Sequence, residues 1–471
     1  MGKKKHELIP SAHRLITSLR DMGYDFSAAV ADVVDNSIEA LATRVEIDVQ
    51  SAGDDSWVRI TDNGIGMKPG QIREALRYGT ARKYDAEKSL GKFGLGLKTA
   101  SMSQCQHLTV ASRSSPVRPE IAAHAWDLSH VMATDRWEIL EVRRDDHPEL
   151  WHEPLREHAG TVVLWRRLDR ILGFRNPYGE MAKKRLAGMC RELEEHLAMV
   201  FHRYIAGETG RRKVRITVNG KAVRPWDPFV RQEDGTKQME PVTLHYDHEG
   251  THGEILIEPF VVPHQAEFSS SEAHAAAAGP LRWNRQQGFY IYRANRMIQS
   301  GGWSNLRTLD EHTKLARVAL SFDPRLDGAF RINVAKMRVQ LPRQLREQIE
   351  KAIAPVIKAA QTAYRRLESS SRIDQASHQN PNTIRAADRD TRVASDARVI
   401  PTASFTKNSV APMNGRESDS GRLWTIQELR REVERIATIK ERPIVRTVFE
   451  RLSAGSAHNH DADTMDSRRR A

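Results

Sequence analysis

The chain has 471 residues, and the usual domain length of about 100 to 200 residues predicts two or three domains. A hydrophobic fraction of 39% and a charged fraction of 28% are typical of a soluble globular chain, and no stretch approaches the ~18 uninterrupted apolar residues of a membrane helix. Lys and Arg number 73 against 61 Asp and Glu, and the net charge of +12 is compatible with attraction to polyanions or simply with solubility.

Cysteine usage and the N-terminal residues indicate the compartment. Cys105 and Cys190 are too few for a disulfide framework in so long a chain. The N-terminal segment MGKKK is basic, but residues 11–20 interrupt any apolar run, so no secretory signal peptide is expected. We therefore expect a cytoplasmic protein without a membrane segment.

Hydrophobic spacing in the first two hundred residues predicts alternating helices and strands. Apolar residues recur with helical spacing over 27–42, and Pro69 opens a second helix that reaches residue 76. A third short helix is expected over 95–102. Strands are predicted over 45–49, 57–61, 107–112, 121–126, 137–142 and 161–165. These elements predict a mixed sheet covered by helices on one face, an α+β arrangement.

A long helical pattern over 181–204 leads to a second region. Strands are expected there over 214–218, 254–259, 288–292 and 316–322, and a helix follows over 343–367. Beyond residue 369 Ser, Asn, Asp, Arg and Thr dominate, a composition that cannot bury enough surface to fold alone and predicts a largely disordered tail. The predicted divisions are a first domain over 8–205, a second over 206–345, a closing helix over 346–369, a polar linker over 370–421, and a short helix with a basic tail over 422–471.

Asp32 and Asn36 form the first candidate pair for chemistry. They stand four residues apart in the segment ADVVDNSIEA at 31–40 and therefore share one helical face. A carboxylate there can hold a water for attack, and an amide oxygen can complete the shell of a magnesium ion already bound by phosphates. The alternative is a solvent-facing polar stripe.

The second segment, ITDNGIGM at 60–67, is a strand that runs into a glycine-containing loop. Asp62 at the strand end can accept a hydrogen bond from the exocyclic amine of adenine, and the glycines allow the backbone to approach a ligand closely. The alternative is an Asp-Asn-Gly hairpin turn.

The third segment, GKFGLGLKTAS at 91–101, carries glycines into a helix whose first amides can cradle phosphate oxygens. The order Gly-Lys-Ser/Thr is missing and no strand ends directly before the first glycine, so this is neither a Walker A loop nor a Rossmann turn. The alternative is a flexible loop.

Together the three segments resemble, in order and rough spacing, the GHKL superfamily that includes the ATPase domains of DNA gyrase, MutL, the heat-shock chaperones and the microrchidia (MORC) proteins. The run DNSIEA at 35–40 is most similar to the MutL and MORC branch. The resemblance implies a Bergerat α/β sandwich that binds ATP and magnesium, with Asn36 as the magnesium ligand and Asp62 on adenine. It also places in the nucleotide site Gly64, Gly66 and Met67, the lid and hinge residues Gly91, Gly94, Leu95, Gly96, Leu97 and Lys98, and Thr161.

The general base of the family is usually a glutamate four residues before the asparagine, and this position is Asp32, shorter by one methylene. A base must lie within about 3 Å of its water. The resemblance therefore implies binding of magnesium and ATP more firmly than it implies turnover.

The second region resembles the transducer domain that follows the ATPase domain in these relatives. The segments GFYIYRANR at 288–296 and FRINVAK at 330–336 are similar to bacterial MORC-like proteins. The resemblance implies that a lysine from this domain reaches the terminal phosphate, with Lys336 as the candidate and Arg338 as the second choice. The alternative for Lys336 is a surface lysine.

The function that the resemblance implies is an ATP-operated clamp that hydrolyses ATP, forms a homodimer and acts on double-stranded DNA. A non-hydrolysing ATP-dependent scaffold and a chaperone-like protein are the alternatives. A histidine kinase is disfavoured because only about 30 residues precede Asp32, which leaves His6 and His13 without room for a dimerising helical hairpin.

Overall fold

The computed structural model describes residues 8–21, 23–79, 96–115, 117, 120–173, 176–332, 336 and 339–379, the side chains of the last helix up to residue 366. These residues form two β-sheets, each with its own hydrophobic core. The helices are α1 Ala12–Arg20, α2 Phe26–Glu39, α3 Pro69–Leu76, α4 Gly96–Met102, α5 Leu128–Thr134, α6 Pro148–Trp151, α7 Glu180–Val200, α8 His202–Ala206, α9 Ser271–Ala277, α10 Arg282–Gln286 and α11 Arg346–Gln379.

Fourteen strands are assigned within this described part of the chain. They are β1 Arg44–Gln50, β2 Trp57–Asp62, β3 His107–Arg113, β4 Ala122–Asp127, β5 Leu140–Glu141, β6 Gly160–Arg166, β7 Arg215–Val218, β8 Lys221–Ala222, β9 Lys237–Gln238, β10 Val242–His248, β11 Thr251–Val261, β12 Gly288–Arg293, β13 Arg296–Ser300 and β14 Ala316–Phe322.

The first sheet has the order β5-β4-β3-β6-β2-β1-β7-β8. Its neighbours are antiparallel except for the parallel pair β1 and β7. The α+β class and the mixed sheet are therefore as predicted. In this order β2, β6 and β3 lie side by side, so the end of β2 lies next to the start of β6.

Helix α2 lies across this sheet and is buried on nearly every side, because it packs against β2, α4 and α7. Asp25 caps its N-terminus by accepting a hydrogen bond from the Ala28 amide at 2.7 Å. The cap satisfies an amide that would otherwise have no partner inside the helix. Phe26 in the first turn meets Trp165 of β6 edge to face, with ring centroids 6.3 Å apart. The buried apolar residues of α2 hold its polar residues at fixed positions.

The other face of the first sheet is also partly covered. Leu150 and Trp151 of α6, with Leu155 in a short 3-10 turn, pack on Val162 and Leu164 of β6. This short segment therefore packs on the face opposite α2. The covering segment is too short to show helical periodicity.

The second sheet has the order β10-β11-β14-β12-β13, with β9 paired to β11 and β12 parallel to β14. Helix α11 packs on this sheet through residues spaced three and four apart. Its buried apolar residues are Ile349, Ile353, Val356, Ile357 and Ala360. The second region is therefore an α/β unit, as predicted.

Three predicted bounds differ clearly from the structure. The predicted division at residue 205 is too early, because β7 pairs with β1 and β8 pairs with β7, so the first sheet continues to residue 222. The predicted strand over 137–142 shrinks to β5, and the closing helix continues past residue 369 as α11. The predicted linker beyond Gln379, the short helix and the basic tail lie outside the described residues.

A search of the described residues for a helix long and apolar enough to span a membrane finds none.

Candidate functional site

Asp32 lies inside the protein rather than on its surface. It is 2% exposed, and the Tyr24 hydroxyl donates a hydrogen bond to Asp32 Oδ2 at 2.8 Å. Burial, followed by the Asp32 carboxylate, raises the pKa of Tyr24, so this hydroxyl remains a donor. Gly96 at the start of α4 faces the same oxygen, because a Cβ there would lie 3.2 Å from it. A solvent-facing stripe is therefore wrong for Asp32.

Asn36 lies one turn further along α2 and is exposed. Its Nδ2 donates to the Asp32 carbonyl oxygen at 2.9 Å. The amide oxygen, which is the atom that a hard cation prefers, takes no part in that contact. Asp32 and Asn36 thus lie at neighbouring positions, one buried and one open to solvent.

Asp32 belongs to a buried group of four charged residues, the interdomain cluster, which comprises Asp32 and Asp35 of α2, Arg296 of β13, and Lys336. Lys336 Nζ lies 2.5 Å from Asp35 Oδ2 and 3.3 Å from Asp32 Oδ1. Arg296 Nε lies 2.8 Å from Asp35 Oδ2, and its Nη2 lies 3.7 Å from Asp32 Oδ1. All four side chains are at most 9% exposed. Lys336 is therefore not a surface lysine, and the predicted residues Asp32 and Lys336 meet across 304 positions of sequence.

Asp62 lies at the end of β2, opposite Thr161 of β6. Ser37 Oγ donates to Asp62 Oδ2 at 3.1 Å, and the Gly64 amide donates to Oδ1 at 2.8 Å. Burial raises the pKa of Asp62 from its usual 3.8 to about 6, against the opposing effect of hydrogen bonds from Gly64, Ser37 and Thr161. At neutral pH the group is a buried carboxylate that accepts hydrogen bonds.

The loop after Asp62 passes close to neighbouring backbone. A Cβ on Gly64 would lie 2.7 Å from the Ala40 carbonyl oxygen, and Gly66, at φ +64°, would place one 2.0 Å from the Arg113 carbonyl oxygen. The Met67 amide donates to Ser112 Oγ at 2.8 Å. The chain continues into α3 and not into a paired strand, so the predicted alternative of a hairpin turn is wrong.

The hydroxyl of Ser112 connects the loop to the start of β6. Ser112 Oγ donates to the Gly160 carbonyl oxygen at 2.8 Å and lies 3.0 Å from Thr161 Oγ1. Thr161 is buried beside Asp62, where it was predicted to support an adenine pocket. The loop that follows Asp62 and the predicted residue Thr161 therefore lie next to each other.

The third predicted segment is described only from Gly96 onward, so Gly91, Gly94 and Leu95 lie outside the described residues. Leu97 is half-buried against the first core, and Lys98 is 2% exposed. Lys98 Nζ donates to the Ala75 carbonyl oxygen of α3 at 3.0 Å, and burial lowers the pKa of Lys98 to about 8. In this structure the Lys98 amine contacts α3.

A profile of the family "Histidine kinase-, DNA gyrase B-, and HSP90-like ATPase" matches residues 24–161. This range begins at Tyr24, ends at Thr161, and contains α2, Asp62 and the glycine-rich segment. The match assigns residues 24–161 to a GHKL-type ATPase domain.

Individual relatives agree with this assignment over limited lengths. DNA mismatch repair protein MutL of Enterobacter sp. (strain 638) is 36% identical over 105 residues, 21% of this chain and 17% of that protein. Protein MICRORCHIDIA 5 of Arabidopsis thaliana is 36% identical over 92 residues, 18% of this chain and 13% of that protein. MutL of Actinobacillus succinogenes is 34% identical over 220 residues, 46% of this chain and 30% of that protein. The chain thus spans less than a third of the length of each of these relatives.

Four residues that contact the predicted site of the ATPase domain were not predicted from sequence. Tyr24 and Ser37 hold the two carboxylates Asp32 and Asp62, and Asp35 and Arg296 complete the interdomain cluster. Asp35 carried a local signal, because it stands one turn from Asp32 on the same helix. Arg296 carried none, because its partner lies 261 positions away.

The residues of the ATPase domain fit the groups that the family implies. Asp62 supplies a buried acceptor beside backbone that glycines bring close, which suits the edge of a flat base. Asn36 presents an amide oxygen on the exposed side of α2, beside the buried Asp32. This donor set suits magnesium held mainly by phosphate oxygens, with a single protein ligand.

Proposed function

We propose that the ATPase domain binds ATP with magnesium and hydrolyses it, with Asp32 as general base and Lys336 as a cation for the terminal phosphate. The observation that carries this proposal is the meeting of these two groups. A buried carboxylate on α2 and a buried lysine from beyond the second sheet lie 3.3 Å apart. Perturbed or paired buried ionisable groups at a domain contact are typical of functional sites.

In this proposal Asp62 accepts a hydrogen bond from the exocyclic amine of adenine, and Ser37 and the Gly64 amide hold its carboxylate in place. Gly64, Gly66, Met67 and Thr161 form the surrounding wall. Asn36 holds magnesium, which neutralises charge on the phosphates. Gly96, at the start of α4, lies next to Asp32, where the terminal phosphate would bind in this proposal.

Hydrolysis requires that Asp32 remove a proton from the attacking water. The Tyr24 hydroxyl fixes one oxygen of Asp32, so the other oxygen, which contacts Lys336 here, is the one that can face the water. Lys336 must therefore leave Asp32 before the base can act. A lysine that moves to the terminal phosphate would do this, and would couple the second sheet to the nucleotide.

We further propose that this coupling operates a clamp, a homodimer that closes on double-stranded DNA when ATP binds. The support is the likeness to proteins named for DNA mismatch repair and to a microrchidia protein, together with the net charge of +12. A second candidate function is a scaffold that binds ATP without hydrolysing it. The observation that favours the scaffold is that both oxygens of Asp32 are engaged, one by Tyr24 and one by Lys336.

Steady-state ATP hydrolysis by the purified chain, with and without double-stranded DNA, tests the proposal. We expect magnesium-dependent turnover. Asp32→Asn should abolish turnover while ATP still binds, and Asn36→Ala should abolish both turnover and magnesium-dependent binding of ATP. Asp55→Asn, at an exposed loop position, is the matched control and should retain wild-type turnover. ATP binding without turnover would support the scaffold, and no ATP binding would refute both functions.

The clamp is tested separately by sedimentation velocity. We expect a dimer in the presence of a non-hydrolysable ATP analogue and a monomer in the presence of ADP. A chain that stays monomeric with the analogue would refute the dimeric clamp and leave ATP hydrolysis to be judged by the kinetic assay.

A further inference from the structure

The interdomain cluster contains one carboxylate that the proposed reaction does not use. Asp35 is 1% exposed and lies one helical turn from Asp32. Of the two carboxylates, it makes the closer contact with Lys336, at 2.5 Å against 3.3 Å for Asp32. Lys336 is thus bound mainly to Asp35.

Arg296, on β13 of the second sheet, binds Asp35. Arg296 Nε lies 2.9 Å from Oδ1 and 2.8 Å from Oδ2 of Asp35, so its proton is shared between the two oxygens. Arg296 Nη1 also donates to the Lys336 carbonyl oxygen at 3.3 Å. Arg296 therefore contacts both the carboxylate that binds Lys336 and the backbone that carries Lys336.

The charges of the cluster balance, with two carboxylates against one guanidinium and one ammonium. A buried charge without a partner is costly, so Lys336 can leave only if its charge and the charges left behind are compensated. Arg296 remains on Asp35 after Lys336 leaves. The terminal phosphate of ATP would supply the new anion for Lys336, and ADP lacks that group.

We propose that Asp35 and Arg296 are positioning residues for Lys336: Asp35 binds Lys336 and competes with the terminal phosphate of ATP, and Arg296 sets the strength of that competition. The inference rests on the proposed function, because it requires that ATP bind near Lys336. Removing Asp35 frees the lysine for ATP. Removing Arg296 leaves Asp35 with Lys336 as its remaining partner in the cluster and strengthens their contact.

The test is the ratio of the ADP and ATP dissociation constants, measured by calorimetry with magnesium and in the presence of Asp32→Asn to prevent turnover. In that background Asp35→Asn should raise the preference for ATP over ADP by about fivefold or more, a typical coupling between two sites. Arg296→Gln should shift the preference in the opposite direction. General damage to the fold would move both variants the same way.

Lys336→Gln supplies the decisive control. If Asp35 acts through the lysine, Asp35→Asn should have no effect on the ratio once Lys336 is replaced, a non-additivity that a double-mutant cycle measures. Asp48→Asn, which removes a partly exposed ion pair with Arg59 at 2.7 Å between β1 and β2, should leave the ratio unchanged.

The outcomes separate the two levels of the proposal. If the parent protein binds neither nucleotide, the proposed function fails. If it binds both and Asp35→Asn leaves the ratio unchanged or shifts it toward ADP, the role of Asp35 is refuted and the proposed function stands. Should Asp35→Asn fail to fold in a thermal melt, Arg296→Gln alone still tests the inference, and an unchanged ratio there overturns it.

Discussion

Affinity for adenine should depend on pH through Asp62, and this dependence can be worked out from the structure. Burial raises the pKa of Asp62 to about 6 although three hydrogen bonds lower it, and no charged neighbour contributes to this shift. An exocyclic amine donates a much stronger hydrogen bond to the carboxylate than to the protonated acid, whose neutral carbonyl oxygen is a weaker acceptor. Binding of adenine should therefore select the ionised form and lower the pKa of Asp62 in the complex.

The magnitude follows from the fraction of Asp62 that is ionised. With a pKa of about 6 and binding to the ionised form alone, affinity should fall about tenfold for each pH unit below 6 and level off above about pH 7. Ser37→Ala removes a donor to the ionised carboxylate. A hydrogen bond to a charged group contributes about 1.5 kcal/mol, so the midpoint should rise by about one pH unit in this variant.

Calorimetric titration with adenosine between about pH 5 and pH 8 measures this dependence, because adenosine has no phosphate whose own ionisation would add to it. Thr43→Ala is a matched control and should keep the wild-type midpoint, because the Thr43 hydroxyl accepts a hydrogen bond from Asn63 Nδ2. A flat affinity across this range, or a lower midpoint in Ser37→Ala, would refute the assignment of Asp62 to adenine.

Three further outcomes concern stability. The pKa of Asp62 rises from 3.8 to about 6 on folding, so ionised Asp62 destabilises the folded protein by about 3 kcal/mol above pH 6. In urea titrations, the free energy of unfolding of Asp62→Asn should therefore increase relative to that of the wild type as the pH rises from about 4 to about 6. Gly66→Ala places a Cβ 2.0 Å from the Arg113 carbonyl oxygen and should lower the melting temperature far more than Gly210→Ala, which has a similar positive φ but open space around it. Asp327→Ala removes the carboxylate that binds the buried Arg293 guanidinium through two hydrogen bonds, at 2.7 and 2.9 Å. The free energy of unfolding in urea should fall by about 3 to 5 kcal/mol, and a fall below about 1 kcal/mol would contradict the pairing.

Local patterns in the sequence were enough to predict the ATPase domain. The helical spacing of the apolar residues around Asp32, the strand before Asp62 and the glycines before Lys98 each mark a short segment, and their order indicates the family. The predicted bounds of α3 and β14 match the structure at both ends. Pro69 fixes the start of the helix, and β14 is a mostly apolar segment, ARVALSF.

Contacts between distant segments could not be predicted in the same way. Strand β7 looks like any short strand, and only its parallel pairing with β1 shows that it belongs to the first sheet. The partners of Arg296 depend on how the second sheet docks on α2, which no local pattern records. The burial of Lys98 against α3 likewise depends on packing, because a lysine after a glycine-rich segment is also compatible with an exposed position.

The last prediction concerns the length of the Asp32 side chain, the proposed general base. The resemblance to GHKL proteins suggests that Asp32→Glu would restore the usual base and raise turnover, and the packing predicts the opposite. Asp32 Oδ2 is already 2.8 Å from the Tyr24 hydroxyl and close to Gly96, so one more methylene overpacks the site at a cost of about 1 to 3 kcal/mol.

Asp32→Glu should therefore lower both the melting temperature and kcat. Tyr24→Phe removes the hydroxyl and gives the longer side chain room, so the double variant should recover part of the kcat that Asp32→Glu loses, while Tyr24→Phe alone lowers kcat because Asp32 loses its orienting donor. Steady-state kinetics and thermal melts of the three proteins measure this coupling. A higher kcat in Asp32→Glu alone would show that the site has room for the longer base, and that the Tyr24 hydroxyl does not set its length.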